Sequence, residues 1–192
     1  MSDASGSPER RRSPAARMLI GTTLLTALIV GAAFLTIDWL HSTAADAVEH
    51  PGPAATDAQT EAEVVEQAKD IVAIAGLAQP TADYSLVSCK NRDDPPYQGA
   101  VYLNFVLPAD IGADAYFRTA AAALVAHGWT EGPSPNQHLF GRNLSKDGVS
   151  ALLYPDRDSP TRGVVHLHGQ CRNKTDHRGD SSAWVDVTER VH

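Results

Sequence analysis

An uninterrupted run of uncharged residues near the N-terminus constrains this chain more than any other feature. The run, Met18–Ile37, reads MLIGTTLLTALIVGAAFLTI and has no polar face. A helix of about 20 residues spans roughly 30 Å, which is the hydrocarbon thickness of a bilayer. Because a surface helix of a soluble domain keeps a polar stripe, we predict that residues 18–37 form a transmembrane helix.

The charges on the two sides of this segment are asymmetric. Arginines precede it, whereas Asp38, Trp39 and Asp46 follow it. Because basic residues are retained on the cytoplasmic side of a membrane, we predict an N-terminus inside and a C-terminal domain outside. Residues 1–17 are polar, and we expect them to form a disordered cytoplasmic tail.

A cleaved signal peptide is the alternative interpretation of the same segment. The sequence Ala45-Asp46-Ala47 fits the small-x-small pattern of a cleavage site, although a signal peptide has a shorter apolar core of about 7–15 residues. No cysteine follows the apolar run before Cys89, so none is placed to carry a bacterial lipid anchor. Both interpretations export the remainder of the chain, which would be membrane-anchored in one case and secreted in the other.

Charge, cysteine content and motifs exclude several classes of protein. The net charge of −7 argues against nucleic-acid binding, which requires a basic face. Two cysteines can build neither a multi-disulfide scaffold nor a four-thiolate zinc site. The sequence has no nucleophile elbow, phosphate-binding loop, zinc-protease motif or dinucleotide fingerprint. We therefore expect no cofactor and no enzymatic activity, and a hydrolase with an unrecognised site remains the alternative.

The exported part divides into a linker and one domain. Residues 38–60 are polar, contain Pro51 and Pro53, and lack apolar periodicity, as is typical of a flexible tether. Residues 61–192 form a segment of ordinary domain size, which is long enough to bury a hydrophobic core. We predict that this segment folds as one extracytoplasmic domain.

Helical spacing of apolar residues predicts two helices in the domain. The first is Glu61–Leu77, with Thr60 as its N-cap and Glu63 completing a capping box. The second is Ile111–Ala126, which Gly128 should end in a left-handed conformation.

Alternating residues and turn signals predict strands in the rest of the domain. They are Tyr84–Lys90, Gly99–Leu107, His138–Leu144, Val149–Tyr154, Gly163–Cys171 and a short last strand at Ala183–Thr188. Late hairpins favour an α+β fold in which an antiparallel sheet has two helices packed on one face. The complete prediction places one transmembrane helix before this fold.

Two cysteines lie at the ends of two predicted strands. In an exported domain we expect Cys89 and Cys171 to form a structural disulfide. Strand alternation places Cys171 on the same face as Val165 and Leu167, the expected core face. A redox-active pair is the alternative, but such pairs usually have a Cys-x-x-Cys spacing.

Two histidines form the sharpest candidate site. His166 and His168 are two residues apart on a predicted strand, so their side chains point to the same face. Gln170 continues that face, and His138 is close enough in the predicted topology to join it. Imidazoles at this spacing can bind zinc or copper. The alternative is that these histidines bind nothing and lie on the solvated outer face of a half-buried sheet, where histidine is a common residue.

The stretch His138–His177 resembles small exported proteins and lipoproteins of mycobacteria and related actinobacteria. The shared features are a GR-L-KDG hairpin and a following strand with the pattern RGV…G-CR…TDHR. The resemblance covers roughly residues 84–187 and implies export and a similar fold. It implies no activity and no site residue, since the family has no assigned function. This chain departs from it by having a membrane helix where the lipoproteins carry a lipidated cysteine.

Together these features predict an envelope module rather than an enzyme. We expect it to contact the membrane through one helix and to bind an envelope protein or another envelope component. A metal-binding domain that uses His166 and His168 is the competing hypothesis.

Overall fold

The structure is a computed structural model that describes residues 52–91, 93–135, 137–180 and 184–192. The predicted tail, the predicted transmembrane helix and most of the predicted linker lie outside the described residues. Within the described ranges, no helix has both the length and the apolar character needed to cross a bilayer.

The described residues form two α-helices, seven strands and one short 3₁₀-helix. Helix α1 is Asp57–Ala75, and helix α2, between the second and third strands, is Ala113–Ala126. A short 3₁₀-helix, Thr188–Arg190, follows the last strand. The strands are β1 (Ala78–Ser88), β2 (Tyr97–Val106), β3 (Thr130–Glu131), β4 (Arg142–Lys146), β5 (Val149–Pro155), β6 (Arg162–His168) and β7 (Val185–Asp186).

The strands form one antiparallel sheet in the order β3-β4-β5-β6-β2-β1-β7. Each pair of neighbouring strands is antiparallel. Strands β5, β6 and β2 occupy the centre of the sheet. Strand β2 pairs directly with β6, although α2 and the segment from β3 to β5 separate the two strands in sequence. The predicted α+β class with an antiparallel sheet is confirmed.

The core lies between the helices and one face of the sheet. On β2 the alternating residues Val101, Leu103 and Phe105 share one face and are fully buried. They form one cluster with buried side chains of both helices, including Val64, Ala68, Ile71, Phe117, Ala120 and Leu124. The helices therefore pack on one face, as strand alternation predicted, and the even-numbered residues of β2 point to the other face.

Helix α1 begins one turn earlier than predicted. Its N-cap is Thr56, whose Oγ1 accepts from the Gln59 backbone N–H at 3.3 Å, while Gln59 Oε1 accepts from the Thr56 N–H at 3.0 Å. The predicted capping box of Thr60 and Glu63 is wrong. Thr60 is buried inside the helix and donates its hydroxyl to the Thr56 carbonyl. The upstream box prevails because it adds a hydrogen-bonded turn, which takes in the end of the predicted linker.

Two predicted chain reversals are confirmed. Gly128 has φ +91°, and Trp129 folds back on α2, donating its N–H to the Leu124 carbonyl at 3.1 Å. The hairpin between β4 and β5 turns at Asp147 and Gly148, which have φ of +52° and +83°. Two consecutive left-handed residues match the right-handed twist of the flanking strands.

Several strand boundaries differ from the prediction, and β1 begins at Ala78, six residues before the predicted Tyr84. His138 lies in the loop before β4, and β6 ends at His168, so Cys171 lies beyond the strand. The placement of Cys171 on the core face of a strand is therefore wrong. The chain leaves the strand direction because the Gln170 N–H donates to Glu63 Oε2 on α1 at 3.2 Å.

Candidate functional site

The two predicted histidines lie on the sheet face opposite the helices. His166 is paired across the sheet with Tyr102 on β2 and Leu152 on β5. The ring centroids of His166 and His168 are 4.3 Å apart. The structure thus brings the two side chains together on one face, as their spacing predicted.

The central part of this face carries no charged side chain. Its residues lie in three rows across β2, β6 and β5, and each row contains one residue from each strand. Most of them are half-buried, and a few are fully buried or exposed. We call them the outer-face patch: Ala100, His168 and Ser150 in the first row, Tyr102, His166 and Leu152 in the second, and Asn104, Val164 and Tyr154 in the third.

Aromatic rings connect the patch to its two borders. Tyr102 makes edge-to-face contacts with His166 at 5.7 Å and with Trp184 at 6.4 Å between ring centroids. Trp184 is 45% exposed although it is one of the largest side chains. On the other side His138 stacks on Tyr154 with 3.9 Å between centroids. Aromatic rings therefore lie within the patch, and one further ring lies at each of the two borders.

Burial keeps the titratable groups of this face neutral. It lowers the pKa of His166 to about 4, and like-charge repulsion from His168 and His138 acts in the same direction. Burial also lowers the pKa of His168 and of His138. Burial, together with the neighbouring Tyr102, raises the pKa of Tyr154 to about 12. At pH 7 these imidazoles and this phenol are uncharged.

His166 and His168 are two candidate metal ligands that lie together here, but they do not form a closed metal site. Among the residues that the structure describes, no three His, Cys, Asp or Glu side chains lie close enough to hold a metal ion. Gln170, expected on the same face, instead donates its Nε2 to Glu63 Oε1 on α1 at 2.7 Å. Burial keeps His166 neutral and its lone pair available, so the argument against a metal site is the shortage of ligands among the described residues.

The two cysteines form the predicted disulfide. Cys89 and Cys171 are bonded, with 6.0 Å between their Cα atoms. The bond joins the chain just after β1 to the segment that follows β6. Because the bond ties together two parts of the chain that are 82 positions apart, it fits a structural role.

Glu63 fixes this same segment to α1, a role that the sequence pattern does not reveal. Glu63 Oε1 accepts from Gln170 Nε2 at 2.7 Å and from Arg172 Nη2 at 3.1 Å. The Glu63 side chain is only 13% exposed. Residues so far apart in sequence leave no periodic signal, so only the fold reveals the contact.

His177 holds the start of α1 to the segment after Cys171. Its Nδ1 lies 2.6 Å from Asp180 Oδ2 and its Nε2 lies 3.0 Å from Asp57 Oδ1. Asn173 Nδ2 also donates to Asp57 Oδ1, at 2.7 Å, and lowers the pKa of that carboxyl. Burial lowers the pKa of His177, but its hydrogen bonds to Asp180 and Asp57 outweigh burial and raise it. Because both ring nitrogens are engaged, the group is a structural clamp and not a free base.

The residues behind the family resemblance support the fold. Arg142 pairs with Asp114 at 3.3 Å and with Glu131 at 3.5 Å. Gly148 is in the hairpin turn, Cys171 is in the disulfide and His177 is in the clamp. The resemblance therefore marks mainly the framework of the domain, and Val164 of its RGV pattern is also part of the outer-face patch.

Comparisons with known proteins agree with this framework. No solved structure is significantly similar to the chain. The chain is 43% identical over 136 residues to proteins named "Putative lipoprotein LppJ" from two Mycobacterium tuberculosis strains, CDC 1551 / Oshkosh and ATCC 25618 / H37Rv, and from Mycobacterium bovis. Each alignment covers 71% of this chain and 71% of the relative. The model of the family described as "Putative lipoprotein LppJ" matches residues 56–190, which confirms the resemblance to mycobacterial lipoproteins, and the chain belongs to this family.

Proposed function

We propose that this chain is a non-enzymatic accessory protein of the bacterial cell envelope that binds an envelope component through the outer-face patch. The lipoprotein name of its relatives supports an envelope location. The apolar segment 18–37 and the arginines before it support the same location.

The observation that carries the proposal is the absence of charge on the outer-face patch. Charged residues make up 20% of the chain, and the solvent-facing side of an ordinary sheet would carry some of these charged side chains. Here the nine central outward positions of three strands hold rings, aliphatic side chains and small polar groups instead, and the first charged residue on this face of β6 is Arg162 at the start of the strand. Aromatic residues without nearby charge are the composition of binding surfaces at their centre.

We further propose that residues 18–37 anchor the protein in the cytoplasmic membrane as one helix. The relatives are named lipoproteins, whereas the first cysteine after this segment is Cys89, which is in the disulfide. A transmembrane helix would hold the domain at the membrane without a lipid. Signal cleavage would release the same domain.

Site-specific photocrosslinking in native membranes tests the binding surface. A photoreactive amino acid replaces Ser150, an exposed patch residue, in the full chain, and the matched control replaces Val125, which is 44% exposed on α2. We expect a discrete crosslinked product from position 150 that is absent from position 125. Equal labelling at the two positions would contradict the assignment of the binding surface.

Metal binding is the second candidate, favoured by the 4.3 Å separation of the His166 and His168 rings. Calorimetric titration of the full chain with Zn²⁺ and Cu²⁺ separates the two functions. Submillimolar binding that disappears in the His166→Ala, His168→Ala double variant would favour the metal site. Turnover in a broad substrate screen would favour the hydrolase alternative.

A further inference from the structure

We propose that the outer-face patch binds a neutral saccharide. The inference rests on the proposed function and names the chemical class of its ligand. Charge, ring chemistry and unpaired polar atoms on this face carry it independently of one another.

The charge pattern selects against ionic ligands. The nearest charged residues stand at the borders of the patch: Asp83 is paired with Tyr102 across β1 and β2, Arg162 begins β6, and Arg157 lies close enough to His138 and Tyr154 to act on their pKa values. The nine patch residues include no cation that could pair with a phosphate or a carboxylate. They also include no anion that could pair with an amine. A charged ligand would lose hydration without a partner, which is costly, whereas a neutral ligand would not.

The ring chemistry selects a ligand that has both C–H faces and hydroxyl groups. Tyr102, His166 and Trp184 form a connected set of rings, and ring faces pack well against the C–H faces of a sugar. Uncharged hydrogen-bond donors or acceptors are offered by the phenol of Tyr102, by the neutral imidazoles of the patch histidines and by the amide of Asn104. A purely apolar ligand would leave those polar groups unpaired.

Two imidazole nitrogens on this face lack a hydrogen-bond partner. Within the described ranges, Nδ1 of His138 and Nδ1 of His168 are buried and unpaired. Buried polar atoms in proteins are normally paired, so unpaired ones require an explanation. Hydroxyl groups of a bound sugar, reached by a small turn of either ring, would supply the missing partners.

The dimensions of the patch suit a short oligosaccharide. Adjacent strands lie about 4.8 Å apart, so the three strands span about 10 Å from first to last. Five residues along β5, from Ser150 to Tyr154, span about 14 Å. The borders formed by His138 and Trp184 would limit the chain on two sides.

Tryptophan fluorescence of the full-length chain tests the proposal. The chain is purified in a detergent without a sugar headgroup and titrated with neutral gluco-, manno-, galacto- and arabino-oligosaccharides. We expect at least one to give a saturable change in emission that is lost in Trp184→Phe, while calorimetry still detects binding. The same sugars carrying a carboxylate should bind more weakly.

The variants are chosen to separate contact from folding. Tyr102→Ala should raise the dissociation constant about tenfold, since it removes the central ring of the patch. Tyr102→Phe keeps the ring, should fold if the alanine variant does not, and should bind with only a small loss. Val125→Ala on α2 is the matched control and should leave the dissociation constant unchanged.

Failure of this inference is distinguishable from failure of the proposed function. If none of the saccharides binds while position 150 still gives its crosslinked product, the saccharide assignment is overturned and the binding surface stands. If both experiments fail, both proposals fall. If the Tyr102→Ala variant binds the saccharide with an unchanged dissociation constant, the sugar binds elsewhere, and this result would also overturn the inference.

Discussion

Gly163 on β6 faces Phe105 on β2 so closely that a Cβ atom at position 163 would lie 2.7 Å from both Cε atoms of the phenylalanine and closer still to its Cζ. Phe105 is fully buried, so its ring has no open space into which it could move. The glycine is required because the ring fills the position where a side chain would be.

The first prediction follows from this contact. Gly163→Ala should lower the free energy of unfolding by about 1–3 kcal/mol, the usual cost of overpacking a core. Urea denaturation of the two proteins measures the difference. Gly179→Ala is the control, because a Cβ atom there meets nothing within 4 Å. An unchanged midpoint for Gly163→Ala would show that the ring can shift freely.

The second prediction concerns the disulfide between Cys89 and Cys171. It closes a loop across a sequence separation of 82, so its removal should lower the free energy of unfolding by about 4 kcal/mol. Urea denaturation of the Cys89→Ser, Cys171→Ser double variant measures the loss. A reductant should destabilise the native chain by a similar amount and leave the variant unaffected. Two freely alkylated thiols in native protein would contradict the bond itself.

The third prediction is a loss of stability in acid that depends on His166. Its pKa is about 4 in the folded domain, and an unfolded histidine has a pKa near 6.5. Between these values the unfolded chain binds the additional proton, so stability is complete above about pH 6.5 and falls as the pH drops towards 4. Urea midpoints measured across this range should fall less steeply in His166→Gln. Parallel curves for the two proteins would refute the assignment.

The fourth prediction is an opposite slope that depends on His177. The carboxylates of Asp57 on α1 and Asp180 raise its pKa, and its ring contacts Tyr97 on β2 edge-on at 5.1 Å between centroids. The folded state therefore holds a proton that the unfolded state releases. This contribution to stability is complete below about pH 6.5 and is lost as the pH rises through the raised pKa. His177→Gln should flatten the alkaline side of the profile, and a His127→Gln variant on the exposed end of α2 should not.

The fifth prediction concerns the membrane topology. A reporter that is active only in the cytoplasm, fused after His192, should be silent, because arginines precede the apolar segment and hold the N-terminus inside. Changing Arg10, Arg11, Arg12 and Arg17 to glutamate should restore part of the signal. A strong signal from the unchanged fusion would reverse the topology.

Much of the fold could be predicted because its signals are local. The alternation of Val101, Leu103 and Phe105 reports a sheet with one core face regardless of which strands flank it. The end of α2 at Gly128 and the turn at Gly148 depend on single residues with positive φ. The two-residue strand β3 is too short to produce a pattern of its own, whereas β7 lies within the predicted last strand, Ala183–Thr188.

Only half of the candidate site could be predicted in the same way. A spacing of two residues on one strand is enough to place His166 and His168 on one face. The contributions of Tyr102, Tyr154 and Trp184 depend on the strand order β5-β6-β2-β1-β7, which is not local. The lowered pKa of His166 likewise arises from burial, which the sequence does not reveal.

The point at which the chain enters the domain determines how the domain would bear tension. Ala55 donates its N–H to the Arg172 carbonyl at 3.1 Å and pairs with Asn173. Cys171, which precedes Arg172, is joined covalently to Cys89 at the end of β1. A pull on the N-terminal connection would therefore pass through a short hydrogen-bonded contact and then through a covalent bond to the end of β1. A domain connected in this way is mechanically reinforced at its attachment point, and reduction of one bond would remove the reinforcement.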